Sequence, residues 1–340
     1  MTASLLTFKH EDGSFRDSTF VDIRPTAEIV RGLLLLNKHD AQDSLHWLLQ
    51  QQNSNGSWGE VMTHATLKEN TLATAIIAES LLVAYRIFNE KHYLKAAQKS
   101  FDYLISREVT PGYFAKLADK KEEDILNVDA ACAFFFHAFW TTTKNKKALE
   151  AKQRSLKHII DAQLFNGSFP YQASSEHTLD PYYHALTEFY LYQSLPPQEF
   201  QTKLAKGAQW LTQQFDGHRF RWSSGKVLFS LGLVPTYSYS ASCFLSAGFA
   251  ASSQAALLRL SALQQRNGLF PSFEHISLTE QLKGILGELN RSQSFSLRFS
   301  RALQRAKKSF HPSSAHTPLF YHAQIFNSLT RKVEDFVPLH

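Results

Sequence analysis

At six points along this chain, 43 to 56 residues apart, a helix-like stretch ends in a glycine that is followed closely by an aromatic residue. This period is too long for one helix and fits a pair of helices with their loops. A glycine at the end of a helix adopts a positive φ angle at low steric cost. The six glycines are Gly13, Gly56, Gly112, Gly167, Gly217 and Gly268. The sequence therefore predicts a repeat of about six helical hairpins.

Two kinds of helical segment alternate around these glycines. Segments before a glycine, such as 43–52 and 201–214, are amphipathic and rich in Gln and Leu. Segments after a glycine, such as 70–85 and 128–142, are apolar on nearly every side, which is typical of buried helices. Amphipathic helices outside and apolar helices inside predict an all-α, (α/α)6-like toroid. Prolines mark the starts of four predicted inner helices: Pro25, Pro181, Pro235 and Pro318.

The hairpins run from end to end without a linker, so residues 1–340 are expected to form a single toroid domain. An irregular basic insertion interrupts the sixth repeat at about residues 274–317. No stretch of 18 uncharged apolar residues appears, and we expect neither a transmembrane segment nor a signal peptide. The two cysteines, Cys132 and Cys243, lie inside apolar segments and are expected to be buried thiols. These features predict a cytoplasmic protein.

The net charge of +6 is unevenly distributed. Residues 290–333 contain eight Lys or Arg residues and no acidic residue. Because a basic surface attracts anions, this stretch predicts an anionic carbohydrate or other small-molecule substrate, or an acidic partner. The sequence has no phosphate-binding glycine loop or dinucleotide motif, so no cofactor is expected. The fifteen histidines lack metal-ligand spacing, so no metal is expected, and basic residues alone are a weak nucleic-acid signature.

The segment from Gln51 to Trp58 resembles the Gln-to-Trp repeat motif of terpenoid cyclases and prenyltransferases. Segments 163–171 and 265–273 are similar to weaker copies of it. Six-hairpin glycosidases, uronyl hydrolases and polysaccharide lyases share the same ring of hairpins, so the resemblance implies this α/α-toroid fold over nearly the whole chain. It also implies a pocket at the end of the ring where the inner helices begin. Many chemistries use this fold, and the Asp-x-Asp-Asp and Asp-Asp-x-x-Asp motifs of isoprenoid enzymes are absent.

Tyrosine and histidine cluster at the predicted start of one inner helix, in the run Asp180-Pro181-Tyr182-Tyr183-His184. Such a pair at a pocket mouth suits proton transfer on a sugar ring. One group removes the C5 proton of a uronic acid, and the other protonates the leaving oxygen. Tyr183 and His184 are therefore predicted acid/base groups. The alternative interpretation is that these rings pack between helices and bond to neighbouring backbone.

Carboxylates near the predicted loop ends form a second candidate set, because glycoside hydrolysis requires two carboxyl groups beside the scissile bond. Asp129, Asp180 and Glu69 are predicted to assist catalysis, and Glu60, Asp124 and Glu274 belong to the same set. The preference of acids for helix N-termini also explains several of these positions. The remaining candidates are predicted to bind substrate: Trp58, His64, Tyr171, Tyr237, Tyr239, Arg301, Tyr321 and His322.

Three classes of function follow from these patterns. The first is an enzyme that acts on an acidic, uronic-acid-containing glycan by lyase, epimerase or hydrolase chemistry, with an arginine such as Arg301 neutralising the substrate carboxylate. The second is a terpenoid cyclase or prenyltransferase, favoured by the motif that ends at Trp58. The third is a non-catalytic ring that binds an acidic partner or a membrane through the basic residues 291–308. An open, polar pocket would favour the first class.

Overall fold

The computed structural model describes residues 2–16, 23–36, 38–61, 67–119, 121, 123–174, 179–194, 198–221, 232–271 and 318–334. In this part of the chain, α-helices alternate between an outer and an inner layer. The outer helices are α1 (Thr2–Leu6), α3 (Gln42–Gln50), α5 (Lys91–Ser106), α7 (Lys146–Asp161), α9 (Gln201–Gln214) and α11 (Ala250–Leu263). The inner helices are α2 (Ile23–Leu36), α4 (Thr71–Phe88), α6 (Leu126–Thr143), α8 (Pro181–Gln193), α10 (Pro235–Ser246) and α12 (Pro318–Glu334). The predicted basic insertion lies outside the described residues.

The six inner helices close into a ring. Each packs against the next along the chain, from α2 to α12, and α12 packs back against α2. Helices α4, α6, α8 and α10 are buried along most of their length, as their apolar sequences predict. The predicted all-α, (α/α)6-like toroid is therefore confirmed.

One inner helix has the length and composition of a membrane span. Among the described helices, α4 alone passes this test, and 78% of it is buried inside the ring. The packing partners of α4 are other helices of the same chain, mainly α2, α5 and α6. Burial in the ring therefore accounts for its apolar character.

All six junction glycines have positive φ angles, between +80° and +91°. The predicted conformation is therefore correct, and most of these glycines carry a second constraint. A Cβ atom on Gly56 would overlap the backbone carbonyl of Lys99 in the next outer helix, and one on Gly112 would overlap that of Arg154. The junction is the point where one hairpin touches the next, so a side chain there would push the repeats apart.

The glutamines of the Gln-to-Trp motif hold these junctions in place. The side-chain amide of Gln163 donates to the carbonyls of Gly167 and Lys203, both at 2.8 Å. Gln52 likewise donates to Gly56 and to Ala96 of the next outer helix. In the last repeat the equivalent residue is Gln264, not Gln265, since Gln264 donates to Gly268 at 2.8 Å. The motif is thus a clamp between neighbouring hairpins.

Short antiparallel strands occupy the loops between the outer helices and the inner helices that follow them. β1 (Gly59–Val61) pairs with β2 (Leu67–Glu69), and β3 (Glu108–Thr110) pairs with β4 (Tyr113–Phe114). An isolated bridge joins Ile125 to Gln172. Because each of these loops leads into an inner helix, they gather at the end of the ring where the inner helices begin.

Candidate active site

A buried ion cluster lies where α2 begins. Arg24 donates from Nε to Glu28 Oε1 at 2.8 Å and from Nη1 to Glu60 Oε1 at 3.3 Å. Glu60, on β1, also accepts from the side-chain amide of Asn70 at 2.7 Å. These four residues are at most 3% exposed. Burial alone lowers the pKa of Arg24, but Glu28 and Glu60 outweigh it and raise that pKa well above its usual range.

Four tyrosine rings connect the rim of the ring to this cluster. Tyr171 and Tyr183 are half-buried, with ring centroids 4.4 Å apart. Tyr183 lies 4.9 Å from Tyr182, which in turn lies 6.2 Å from Tyr239. Tyr182 and Tyr239 are buried. Burial and the negative charge of Glu28 raise the pKa of Tyr239 well above its usual range, so this ring is near the ion cluster.

In the sequence, Asp180 is the acidic residue closest to this row of rings, two residues before Tyr182. It caps α8, where Oδ1 accepts from the backbone N–H groups of Tyr182 at 2.9 Å and Tyr183 at 3.3 Å. Its side chain is almost fully buried. Burial raises its pKa from 3.8 to about 7, against the opposing effect of the two amides. Near neutral pH this carboxyl is therefore able both to hold and to release a proton.

Tyr171 lies close both to Glu60 of the ion cluster and to the start of α8, which Asp180 caps. Burial and the negative charges of Glu123 and Glu60 raise the pKa of the Tyr171 hydroxyl, so both acids act on this ring. Tyr171 also packs against Tyr183, whose amide bonds to Asp180. The tyrosine pair therefore lies within the electrostatic reach of Glu60 and next to the helix start that Asp180 caps.

Polar groups also occupy buried positions on α10 and α12. Tyr182 on α8 donates its hydroxyl to Gln324 Oε1 on α12 at 3.0 Å. Several fully buried polar atoms on α10 and α12 have no hydrogen-bond partner among the described residues: Thr236 Oγ1, Tyr239 OH, Ser240 Oγ, Gln324 Nε2 and Asn327 Oδ1. Because an unsatisfied buried polar atom is costly, these groups point to water or a polar ligand in this part of the ring.

A different polar layer lies between the inner and outer helices, and it repeats. In four hairpins the backbone N–H of the junction aromatic donates to a side chain in the first turns of the inner helix. Trp58 donates to Thr74 Oγ1 at 2.9 Å, and Phe169 donates to His184 Nδ1 at 2.9 Å. The same bond joins Phe15 to Thr26 and Phe114 to Asp129. We call these acceptors the wall residues: Thr26, Thr74, Asp129 and His184.

Two predicted catalytic residues, His184 and Asp129, are thus wall residues. His184 is fully buried, and its Nε2 lies 3.1 Å from the carbonyl of Gly207 and 3.2 Å from Glu188 Oε2. Its ring packs on Trp210 of the outer helix α9. Asp129 is also fully buried, and burial and the neighbouring Asp124 raise its pKa well above its usual range. The structure does not bring either residue to the tyrosine row.

Several predicted binding residues are also occupied by structural contacts. Trp58 is fully buried and donates from Nε1 to the carbonyl of Leu48, so it has no free face for a sugar. Tyr237 is buried against Phe215 and Phe220. His322 is buried with Nε2 at the carbonyl of Phe270. Glu69 is exposed on β2 and accepts from Asn55 at 3.1 Å.

Three predicted residues cannot be placed. His64 and Arg301 lie outside the described residues. Tyr321 lies in the first turn of α12, but its side chain is not described. Of the thirteen predicted site residues, the structure therefore brings together Tyr171, Tyr183, Asp180 and Tyr239.

Sequence reasoning missed Arg24 and Glu28. Both are buried in α2, one turn apart. A signal was present, because charged residues at i and i+4 within a helix predicted to be buried must have partners there. A second buried pair, Arg31 with Glu79 at 2.9 Å, joins α2 to α4 in the same way.

Comparison with solved structures agrees with the fold. An alpha-amylase from Clostridium perfringens superimposes with a TM-score of 0.63 at 12% identity, covering 95% of this chain and 90% of that one. A type II terpene cyclase, MstE from Scytonema, gives 0.61 at 14% identity, with 97% and 96% covered. The chain has the α/α-toroid fold. The alpha-1,6-mannanase GH76A from Salegentibacter sp. HEL1_6 is a further similar toroid, at 0.60 and 12% identity over 84% of this chain and 95% of that one.

These similarities are structural. No protein-family model matches the sequence, and no curated protein matches it either. At 12–14% identity the solved toroids share the fold with this chain, and the fold alone carries many different sites. The function must be argued from the side chains at the end of the ring where the inner helices begin, which we call the mouth.

Proposed function

We propose that the chain is a glycan-cleaving enzyme whose proton donor is Asp180 and whose second carboxyl group is Glu60. The observation that carries the proposal is the contrast between these two groups. Burial raises the pKa of Asp180 to about 7, so a proton is available near neutral pH. Glu60 instead accepts from the Arg24 guanidinium and from Asn70, contacts that favour its charged form.

Glycoside hydrolysis requires this division of labour. One carboxyl group protonates the leaving oxygen, and a carboxylate across the sugar stabilises the positive charge that develops on the ring. Asp180 is suited to the first task and Glu60 to the second. The half-buried rings of Tyr171 and Tyr183, which pack against each other beside the start of α8, offer an apolar surface to a sugar ring. Solved toroids with the names alpha-amylase and alpha-1,6-mannanase support this class of reaction.

The charge balance supports a neutral glycan as the substrate. The acidic substrate expected from the sequence needs a cation beside the reacting sugar. Arg24, the cation in this cluster, already bridges Glu28 and Glu60, and the predicted Arg301 lies outside the described residues. The described contacts place two carboxylates around this one guanidinium, and such an excess of negative charge repels a uronate.

A hydrolysis screen tests the proposal. Purified protein is incubated with neutral α-linked glucans and mannans and with a uronic-acid-containing glycan, and released sugars are measured by chromatography. We expect release from a neutral glycan, and a loss of about 10²- to 10⁴-fold in Glu60→Gln. Glu150→Gln, on the exposed face of α7, is the matched control and should keep full activity. Release from the acidic glycan alone would contradict the neutral assignment.

Protonation-initiated cyclisation of a prenyl chain is the second candidate. The row of tyrosine rings suits a carbocation, since aromatic faces stabilise positive charge, and the protonated Asp180 supplies an acid. A type II terpene cyclase is among the similar toroids. The buried polar atoms on α10 and α12 favour the sugar instead. Conversion of a linear prenylated arene to an isomer of equal mass, with no sugar release, would select the cyclase.

A further inference from the structure

Two carboxylates and a histidine meet outside the ring's mouth, between α6 and α7. Asp124 precedes α6, Asp129 lies within it, and His158 lies on α7. His158 Nε2 is 3.0 Å from Asp124 Oδ1 and 3.7 Å from Asp129 Oδ2. One ligand atom from each residue lies within 4.8 Å of the other two. Asp, Asp and His together form a donor set that proteins use for divalent metal ions.

The second carboxylate oxygen of Asp129 distinguishes this cluster from an ordinary ion pair. Oδ1 of Asp129 makes the contact that all the wall residues make, since it accepts from the backbone N–H of the junction aromatic Phe114 at 2.7 Å. Oδ2 is fully buried, and the groups that it meets among the described residues are the Asp124 carboxyl and His158 Nε2 at 3.7 Å, neither of which is placed as a regular hydrogen-bond donor to it. A buried carboxylate oxygen without a donor is costly, and a cation removes that cost. The other wall residues do not form such a cluster within the described residues.

We propose that Asp124, Asp129 and His158 form a binding site for a divalent transition-metal ion of the zinc class. Donor atoms bound at about 2.0–2.1 Å around a tetrahedral ion lie roughly 3.3 Å apart, and the observed 3.0 and 3.7 Å bracket that separation. Asp124 and His158 are each about a fifth exposed. Solvent therefore reaches the cluster and supplies the remaining ligand as water.

A metal at this position joins three parts of the chain. It ties the outer helix α7 to the inner helix α6 and to the loop that carries Asp124. The carbonyl of Asp124 accepts from the N–H of Ala173 at 3.0 Å, and Ile125 pairs with Gln172. The ion therefore fixes the loop that runs beside Tyr171. This role is independent of the proposed hydrolase function, because it needs neither Asp180 nor Glu60.

Metal titration of the whole chain tests the site. The protein is freed of metal by chelator dialysis, and Zn²⁺ binding is followed by calorimetry and by the melting temperature. Co²⁺ serves as a spectroscopic probe. We expect one Zn²⁺ per chain, a rise of a few degrees in melting temperature near saturation, and visible absorption bands of bound Co²⁺. His158→Ala should weaken Zn²⁺ binding at least tenfold and remove both the shift and the Co²⁺ bands.

His92→Ala is the matched control. His92 also lies beside an acid, Glu90, at 3.4 Å, but on the exposed surface of another hairpin. This variant should bind Zn²⁺ as the unmodified chain does. A second test variant, Asp129→Asn, keeps a side-chain oxygen for the Phe114 amide and is expected to fold. Absence of stoichiometric Zn²⁺ binding, or binding unchanged in both His158→Ala and Asp129→Asn, would overturn the site.

Discussion

Two polar regions of the ring, the wall residues and the residues of the proposed active site, differ in whether their contacts repeat along the chain. The wall residues recur at equivalent positions in successive hairpins, and each accepts the N–H of its junction aromatic. Of the mouth residues Arg24, Glu60 and Asp180, the first two have no such copies in the bonds of the other hairpins that the structure describes. Their bond joins two repeats, since Arg24 lies on α2 and Glu60 on β1. Asp180 has a counterpart in Asn70, which caps α4 as Asp180 caps α8, but Asn70 is an amide and Asp180 is an acid.

The difference teaches how to read polar residues in a repeat protein. A polar contact that every repeat needs serves the packing of that repeat, whatever side chain provides it. Threonine, aspartate and histidine all serve at the wall. A polar residue that breaks the repeat pattern, and that is buried at a cost, requires a separate reason. By this criterion His184 supports the fold. Asp180 shares its cap position with Asn70, and it is the candidate for catalysis because it is an acid there and burial raises its pKa to about 7.

The largest expected effect is on turnover in Asp180→Asn. This change removes the transferable proton, so we expect kcat on a neutral glycan to fall by about 10²- to 10⁴-fold. Asparagine caps helices as well as aspartate does, and the two α8 amides keep their acceptor. The melting temperature should therefore stay within a few degrees of the unmodified chain. A kcat that is unchanged in the folded variant would contradict the assigned role.

The second effect is on the pH dependence of stability. The pKa of Asp180 rises from 3.8 in the unfolded chain to about 7 in the folded one, so the folded chain holds this proton more tightly. The free energy of unfolding should therefore fall as pH rises from about 4 to about 7, by at most roughly 4 kcal/mol from this group. Urea denaturation at several pH values measures it. In Asp180→Asn that part of the slope should disappear.

The third effect is on stability in His184→Ala. The change leaves the Phe169 N–H and Glu188 without their partner in a fully buried site. We expect a loss of about 2–4 kcal/mol in the free energy of unfolding. The kcat of the folded fraction should remain within a few-fold, in contrast to Asp180→Asn. Loss of turnover without loss of stability would return His184 to the catalytic set.

The smallest effect compares two junctions. Gly56 and Gly217 share a φ angle near +90°, but only Gly56 lies against the next outer helix. Gly217→Ala should cost about 1 kcal/mol for the left-handed backbone. Gly56→Ala should cost roughly 1–2 kcal/mol more, because its methyl group meets the Lys99 carbonyl. Thermal unfolding of both variants measures the difference. Equal losses in the free energy of unfolding would mean that the contact of Gly56 with the Lys99 carbonyl does not affect stability.

The fold could be predicted from sequence because the same hairpin pattern occurs six times along the chain. Each glycine, each apolar inner segment and each starting proline repeats one local rule, and these elements were predicted to within a few residues. The site is not repeated. Tyr183 and His184 are adjacent, and successive residues on a helix point about 100° apart, so one can face the tyrosine row while the other faces the wall. Sequence alone could not tell which.

Arg24 and Glu28 illustrate the same limit. Their positions in α2 follow from the helical pattern, but their partner Glu60 comes from a strand in another hairpin. That contact depends on how the ring closes, which no single repeat specifies. The substrate-binding roles of His64 and Arg301 remain predictions, since both residues lie outside the described part of the chain.

The most direct measurement is a crystal structure of the Asp180→Asn variant soaked with a neutral oligosaccharide. The account predicts a sugar ring against Tyr171 and Tyr183, with residue 180 within hydrogen-bond distance of a glycosidic oxygen and Glu60 across the sugar. A sugar bound elsewhere on the molecule, or an empty mouth at saturating oligosaccharide, would contradict it.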